Sequence, residues 1–196
     1  MTDARTLAFY SDRAGDYAQT WGQTPGKALR SFIAALPDGA RVLDLGCGPG
    51  HASAHMAAAG LRPDPVDAAP GMVDEARAKG LPARLMRFDE LDADQAYDGV
   101  WANFSLTHAP RDALPSHLAA IAKALKPGGA LHIGVKTGDG PHRDTLGRLY
   151  HLIPADALVQ LVEAAGMTVT QQREGKDMGF DGQESDFVVL RAVRNG

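Results

Sequence analysis

Cysteine is nearly absent. The 196 residues hold one, Cys47, so no internal disulfide can form and a thiolate metal framework is excluded. Long apolar runs are missing too: nothing approaches the stretch of roughly 18 apolar residues that crosses a bilayer. Neither sign of charge prevails. A formal net charge of -4 creates no field that would draw nucleic acid or an anionic membrane. There is no internal repeat, no low-complexity tract and no charged tail. The opening stretch "MTDARTLAFYSDRAGDY" mixes charges and lacks the apolar core of a secretory signal, so cytoplasm is the expected compartment. What is left, 44% hydrophobic and 22% charged residues, suits a single compact domain.

Periodicity divides the chain. The first forty residues read as helical, with Ala28, Leu29, Phe32, Ile33 and Leu36 on one face before "LPDG" breaks the pattern. Short strands follow at residues 42–45, around Pro65 and Val66, in "ARLMRF" and "YDGVWANF", and in "ALHIGV". Helices separate them: "HASAHMAAAG", residues 70–79, and "RDALPSHLAAIAKALKPGG". Such alternation predicts a parallel sheet covered on both faces. After the helix "ADALVQLVEAAG", the strands "MTVTQQR" and "SDFVVLRAV" are linked by about eleven glycine-rich residues, too few for a crossover, so they should pair antiparallel. The expected fold is α/β: a doubly wound seven-stranded sheet, mostly parallel with one antiparallel strand near the C-terminus, under an N-terminal helical cap. One domain over 1–196 is expected, with the cap at 1–39, a ligand-binding core at 40–135, and a substrate-side loop with C-terminal strands at 136–196.

The chemistry starts at "VLDLGCGPGHA". Gly46, Gly48 and Gly50 have the spacing G-x-G-x-G. A dinucleotide fingerprint would be G-x-G-x-x-G, and a P-loop would carry a lysine after the loop. Asp44, just before the loop, would repel pyrophosphate but suits an ammonium group. Asp67, 23 residues later at a strand end, can accept hydrogen bonds from both ribose hydroxyls. A ligand with a ribose and an amino-acid ammonium but no phosphate is S-adenosylmethionine. His51 and His55 stand at the i, i+4 spacing of a metal site, but the glutamate of H-E-x-x-H is absent and no third ligand is evident, so no metal is expected.

At this point the sequence resembles the class I S-adenosylmethionine-dependent methyltransferases. "VLDLGCGPG" is similar to their first motif, nearly residue for residue; "VDAAPGMVDEAR", "RFDELDADQAYDGVWANFSLTHAP" and "ALKPGGALHIG" resemble their later motifs, in the right order. The resemblance implies a Rossmann-like fold and a set of cofactor contacts. Gly46, Cys47, Gly48 and Gly50 would form the loop against methionine and ribose, and Asp44 would support that loop and the ammonium. Asp67 would bind the ribose, Ala68 and Met72 would pack on adenine, and Asp89 with Glu90 would accept from its amino group. Asn103 would lie near the methionine end, and Tyr17, in an N-terminal segment that covers the cofactor in many members, would contact cofactor or acceptor.

Methyl transfer from a sulfonium needs alignment above all, with a general base where the acceptor is a hydroxyl or a protonated amine. His108, in "SLTHAP", is the candidate base. Tyr10, Lys136, Arg143 and Arg148 are candidate acceptor contacts; the last three belong to a segment expected to form an ordered loop over the site. Arginine captures anions bidentately, which suits an anionic acceptor; the alternative is a solvated surface with local Arg–Asp pairs. The expected partner is a small molecule, since N-P-P-[FYW] of adenine and glutamine methylators is absent and the fourth strand ends "NFSL". Two other functions are compatible with a glycine-loop sheet: a cofactor-binding regulator without turnover, and a nicotinamide-dependent oxidoreductase, which the spacing and Asp44 disfavour.

Overall fold

The computed structural model describes residues 3–20 and 24–196; the rest of the expected cap, at 1–2 and 21–23, lies outside them. Three helices precede the sheet: α1 (Ala4–Asp12), α2 (Ala14–Thr20) and α3 (Lys27–Ala34). The core then alternates β1 (Arg41–Leu45), α4 (His51–Ala58), β2 (Arg62–Asp67), α5 (Pro70–Ala78), β3 (Arg84–Leu85), β4 (Tyr97–Asn103), α6 (Leu114–Ala124) and β5 (Leu125–Lys136). A hairpin of β6 (Gly140–Arg143) and β7 (Leu149–Leu152), helix α7 (Ala155–Ala164), and strands β8 (Met167–Met178) and β9 (Glu184–Arg194) complete it. The large sheet has seven strands in the order β3-β2-β1-β4-β5-β9-β8. Every pairing is parallel except those made by β9, which runs against β5 and β8.

Strand alternation assigns the two faces. Leu43, Leu45, Val100, Ala102, Leu131 and Ile133 point to one side, against Leu118 and Ile121 of α6 and Leu158 and Val162 of α7. Val42 and Trp101 point to the other, against Phe32 of α3 and Met56 of α4. Asp44 shares the parity of Val42, so it is driven beneath α4, where Ser53 Oγ donates to it at 2.7 Å. The order of strands reverses between β1 and β4, so their C-terminal ends open a crevice at the switch point.

Several boundaries differ from the sequence reading. The strand expected over "ARLMRF" is only two residues long. Met86 N–H bonds back to the Asp67 carbonyl at 2.9 Å, and a 3-10 turn at Phe88–Glu90 takes over, held by Arg87 N–H to Glu90 Oε2 at 2.7 Å. Helix α6 ends at Ala124 because Leu125 already pairs with Tyr97, and the Lys-Pro-Gly-Gly run is absorbed as an irregularity of β5. The segment expected as a loop after β5 is the β6–β7 hairpin. Its tight turn is built by Asp144: Oδ1 accepts from Leu146 N at 3.0 Å and Arg148 N at 2.8 Å, and Oδ2 from Arg148 Nε at 2.7 Å. Both side chains of that ion pair are almost fully buried, 3% and 1% exposed.

The hairpin is fastened to α1. Asp3 caps the helix by accepting from Thr6 N at 2.9 Å, and also takes both Arg143 Nη groups at 3.0 Å. Thr6 Oγ1 accepts from Leu149 N at 2.8 Å. Removing one partner of a buried pair strands a charge, whereas a half-exposed pair contributes little. Asp144→Ala should therefore cost about 3–5 kcal/mol of stability, and Arg143→Ala far less, both read from urea midpoints. Equal midpoints would overturn this ranking.

Candidate functional site

The glycine loop is pinned to the neighbouring strand by its own backbone. Gly46 N–H and Cys47 N–H both donate to the Val66 carbonyl, at 2.8 and 2.9 Å. All three glycines are left-handed, with φ of +78°, +54° and +81°, but they meet different surroundings. A Cβ on Gly46 would lie 2.2 Å from Ser105 Cβ, and one on Gly50 2.4 Å from Leu81. A Cβ on Gly48 would meet nothing within 4 Å. Gly50 thus serves packing of α4, and the open space belongs to Gly48.

That space is a cleft of about 650 Å³, its mouth included. Gly46, Gly48, Asp67, Ala68, Met72, Asn103, Tyr10, Tyr17 and His108, all singled out from the sequence, line it together. Asp67 is tied at both oxygens, Oδ2 accepting from Gly48 N and Oδ1 from Ala69 N, each at 2.9 Å. Burial pushes its carboxyl above the usual range against those two bonds. Each oxygen still has a lone pair free for a further donor.

Five of the expected cofactor residues do not line the cleft: Gly50, which packs against α5, and four others. Asp44 lies below the loop, and burial pushes its carboxyl up to about 7, opposed by the Ser53 hydroxyl and reinforced by the Asp67 charge. Cys47 is packed with Val73 and Ala76 of α5, and burial raises its thiol. Asp89 and Glu90 point outward and pair with Arg87 at 3.1 and 3.2 Å. The 3-10 turn there sends Phe88 inward instead, and Phe88 and Met86 form the cleft wall. Their only signal in the sequence was apolarity just ahead of Asp89. His51, considered as a ligand, bonds the Ala18 carbonyl at 3.0 Å. Among the described residues no three His, Cys, Asp or Glu side chains gather as a metal group.

A second cavity, of about 910 Å³ with its mouth, lies beside the first. Tyr10, Tyr17, Asn103, Phe104 and His108 line both. Phe104 holds φ at +59°, a conformation that costs a bulky residue about 1–3 kcal/mol and is retained where function needs it. Its N–H bonds the Gly134 carbonyl at 2.8 Å. Asn103 Oδ1 lies 3.0 Å from His132 Nε2. His132 is itself stacked on Trp101 at 3.7 Å.

At the junction, His108 Nδ1 sits 2.7 Å from the Leu149 carbonyl, and Nε2 sits 2.9 Å from Tyr10 Oη. A carbonyl only accepts, so Nδ1 carries the hydrogen and Nε2 offers its lone pair to the Tyr10 hydroxyl. Burial, with Arg148 and Lys136 nearby, lowers the imidazole to about 4 and keeps it neutral. Arg148 and Lys136 line the second cavity; Arg143 lines neither, because Asp3 holds its guanidinium. Arg148 is largely spent on Asp144.

A parallel sheet with a left-handed glycine loop at its switch point, an acid at the end of β2 and no phosphate-binding lysine has the make of a class I S-adenosylmethionine-dependent methyltransferase. Comparison with known proteins agrees. The chain belongs to the methyltransferase domain family, whose model matches residues 19–172. It is 38% identical over 112 residues to a ubiquinone biosynthesis O-methyltransferase of Xanthomonas oryzae, covering 52% of this chain and 46% of that one. It is 36% identical over 128 residues to the S-adenosyl-L-methionine-dependent Diels-Alderase iccD of Talaromyces variabilis, covering 56% of this chain and 43% of that one. The chain thus spans about half the length of the curated relatives it matches. Among solved structures it resembles the Burkholderia thailandensis 1,6-didemethyltoxoflavin-N1-methyltransferase, bound to 1,6-didemethyltoxoflavin and S-adenosylhomocysteine. That match has 26% identity and a TM-score of 0.74, and covers 98% of this chain and 88% of that one. The fold is also that of the [4+2]-cyclase SpnF, at 18% identity and a TM-score of 0.70, covering 96% and 94%. No helix among the described residues is long and apolar enough to cross a membrane.

The glycines separate packing from binding. Gly46→Ala should lose stability through both the left-handed strain, about 1–2 kcal/mol, and the collision with Ser105, about 1–3 kcal/mol. Gly48→Ala should lose only the first, yet its methyl group enters the cleft and should abolish S-adenosylhomocysteine binding by calorimetry. Normal binding to Gly48→Ala would put the ligand elsewhere.

Proposed function

We propose that this domain methylates a small-molecule acceptor held in the second cavity, with S-adenosylmethionine in the first. One observation carries the reading: the hydrogen-bonded Tyr10–His108 pair lines both cavities. When bound, S-adenosylmethionine supplies an activated methyl group. Asp67 would hold its ribose hydroxyls, and Ala68, Met72, Met86 and Phe88 its base. Gly46 and Gly48 would allow backbone approach along its methionine end, with Asn103 and Tyr17 nearby. Asp44 would act from below the loop, through charge. The Burkholderia neighbour, whose acceptor is a small molecule, supports the size class.

Tyr10 and His108 manage the acceptor's proton in this reading. The acceptor's O–H or N–H donates to Tyr10 Oη, whose own hydrogen passes to His108 Nε2, and the imidazolium is steadied at Nδ1 by the Leu149 carbonyl. A base lowered to about 4 is weak, so the pair suits an acidic hydroxyl, phenol or enol rather than an alkyl alcohol. The water-poor junction, walled by Phe104 and Tyr17, favours transfer to the acceptor over hydrolysis. A second reading, cofactor-assisted cyclisation without methyl loss, is favoured by the two cyclases among the similar proteins. Release of S-adenosylhomocysteine separates the two.

Tyr10→Phe and His108→Phe should each lower kcat by roughly 10²–10⁴, the usual range for a lost general base. The pH profile should be flat above about pH 5 and fall below it as His108 takes up a proton. Wild-type kcat in both variants would remove the pair from the reaction.

Asp44 makes a separate pH prediction. Its folded value of about 7 exceeds the unfolded one, so the folded chain holds an extra proton between about pH 4 and pH 7. This group's contribution to stability is therefore fully present below that window and lost as pH rises through it. An ammonium-bearing ligand favours the ionised carboxylate, so S-adenosylhomocysteine affinity should rise from pH 6 to pH 8 by calorimetry. In Asp44→Asn that slope should vanish; an unchanged slope would assign it to another group.

A further inference from the structure

The acceptor cavity contains a cation whose hydrogen bonds are unused. Lys136 ends β5 and is half buried, and burial lowers its ammonium below the ordinary lysine value. Its Nζ donates no hydrogen bond and has no carboxylate within 4.0 Å among the described residues. Its near partner is the face of Tyr150, 4.3 Å away. A desolvated ammonium with three free donors is costly unless a ligand supplies the counter-charge.

The other charges around the cavity have polar partners within the chain, and Arg148 Nη1 also donates to Tyr10 Oη at 3.4 Å. Arg148 pairs with Asp144 at 2.6 Å. Asp181 lies 4.0 Å from Arg148 and accepts from Gln183 N at 3.3 Å. Asp177 accepts from Met178 N at 2.9 Å. Asp181 and Asp144 favour the lysine charge at longer range and Arg148 opposes it, and no carboxylate of the described residues neutralises it by contact.

The remaining walls are aromatic. Tyr17 meets Phe180 at 5.3 Å between centroids, and Phe104 meets Phe187 at 5.8 Å. Phe180 sits on the turn between β8 and β9, which brings it over the cavity onto Phe9 and Tyr17. The Tyr150 ring separates the two polar ends: Lys136 Nζ is 4.3 Å from its centroid and the His108 ring 4.6 Å. Aromatic walls favour a flat acceptor, with an anion at Lys136 and a hydroxyl toward Tyr10.

We infer that the acceptor is a flat aromatic or heteroaromatic acid, its anionic group bound by Lys136 and its methyl-accepting hydroxyl directed at Tyr10. This rests on the methyl-transfer reading. The acceptor oxygen forms a bond to the methyl carbon and the methyl–sulfur bond breaks with its electron pair left on sulfur. The hydroxyl proton goes through Tyr10 to His108.

The test measures Kd by calorimetry, with S-adenosylhomocysteine present, for 3-hydroxybenzoate, 4-hydroxybenzoate and 3-hydroxy-2-naphthoate, each against its methyl ester. At least one acid should bind roughly tenfold to a hundredfold more tightly than its ester, the range for a hydrogen-bonded charge. Lys136→Met should erase that preference and leave S-adenosylhomocysteine affinity unchanged, while Lys136→Arg should retain part of it, which separates charge loss from misfolding. If S-adenosylhomocysteine binds but the acids bind no better than their esters, or do not bind, the acid inference is overturned and the methyl-transfer reading stands. If S-adenosylhomocysteine does not bind, both fall.

Discussion

The site depends on one carbonyl. Val66 accepts from both Gly46 and Cys47, which pins the loop leaving β1 onto the end of β2. Only then can Gly48 N–H reach Asp67, and only then does the open side of Gly48 face the crevice. Parallel strands lend themselves to this, because their C-terminal ends lie side by side and the order reverses between β1 and β4. The left-handed glycines are the local cost of the arrangement, and each is used differently: Gly46 against Ser105, Gly50 against Ala76 and Leu81, Gly48 toward the ligand space.

The second cavity has another origin. None of its walls comes from the glycine loop; they come from α1, α2, the end of β4 and the turn after it, the end of β5, the β6–β7 hairpin, and the β8–β9 turn with the strand ends beside it. These pieces are far apart in sequence and meet through side chains. Asp3 holds Arg143, Thr6 holds Leu149, and Tyr10 holds His108. The buried Asp144–Arg148 pair makes the hairpin turn rigid enough to present the Leu149 carbonyl to the imidazole. The cofactor side is therefore backbone geometry, and the acceptor side is a convergence of side chains.

That difference explains what could be read in advance. The alternation of strands and helices and the antiparallel last strand were legible from period and spacing, as was the placing of Gly46, Gly48, Asp67 and Asn103 at strand ends, because those features are local; Ala68 and Met72, which also line the cleft, were expected through the family resemblance. Arg143 was expected at the acceptor and is found on Asp3, since nothing in its neighbourhood in sequence reveals a partner 140 residues away. Asp89 was expected against the base and faces solvent with Arg87, because a 3-10 turn replaced the rest of a strand and turned Phe88 inward in its place. Lys136 was one of three basic residues expected at the acceptor, and the structure distinguishes it as lining the second cavity with no carboxylate of the described residues within ion-pair distance.

By itself, then, the sequence determined the mostly parallel sheet with its antiparallel last strand and the glycine loop at a strand end, since hydrophobic period and glycine placement act over a few residues. The tertiary structure alone decided which tyrosine meets which histidine, which arginine is spent on a carboxylate and which cation is left for a ligand. Those outcomes depend on pairings between segments whose separation along the chain leaves no trace in local composition.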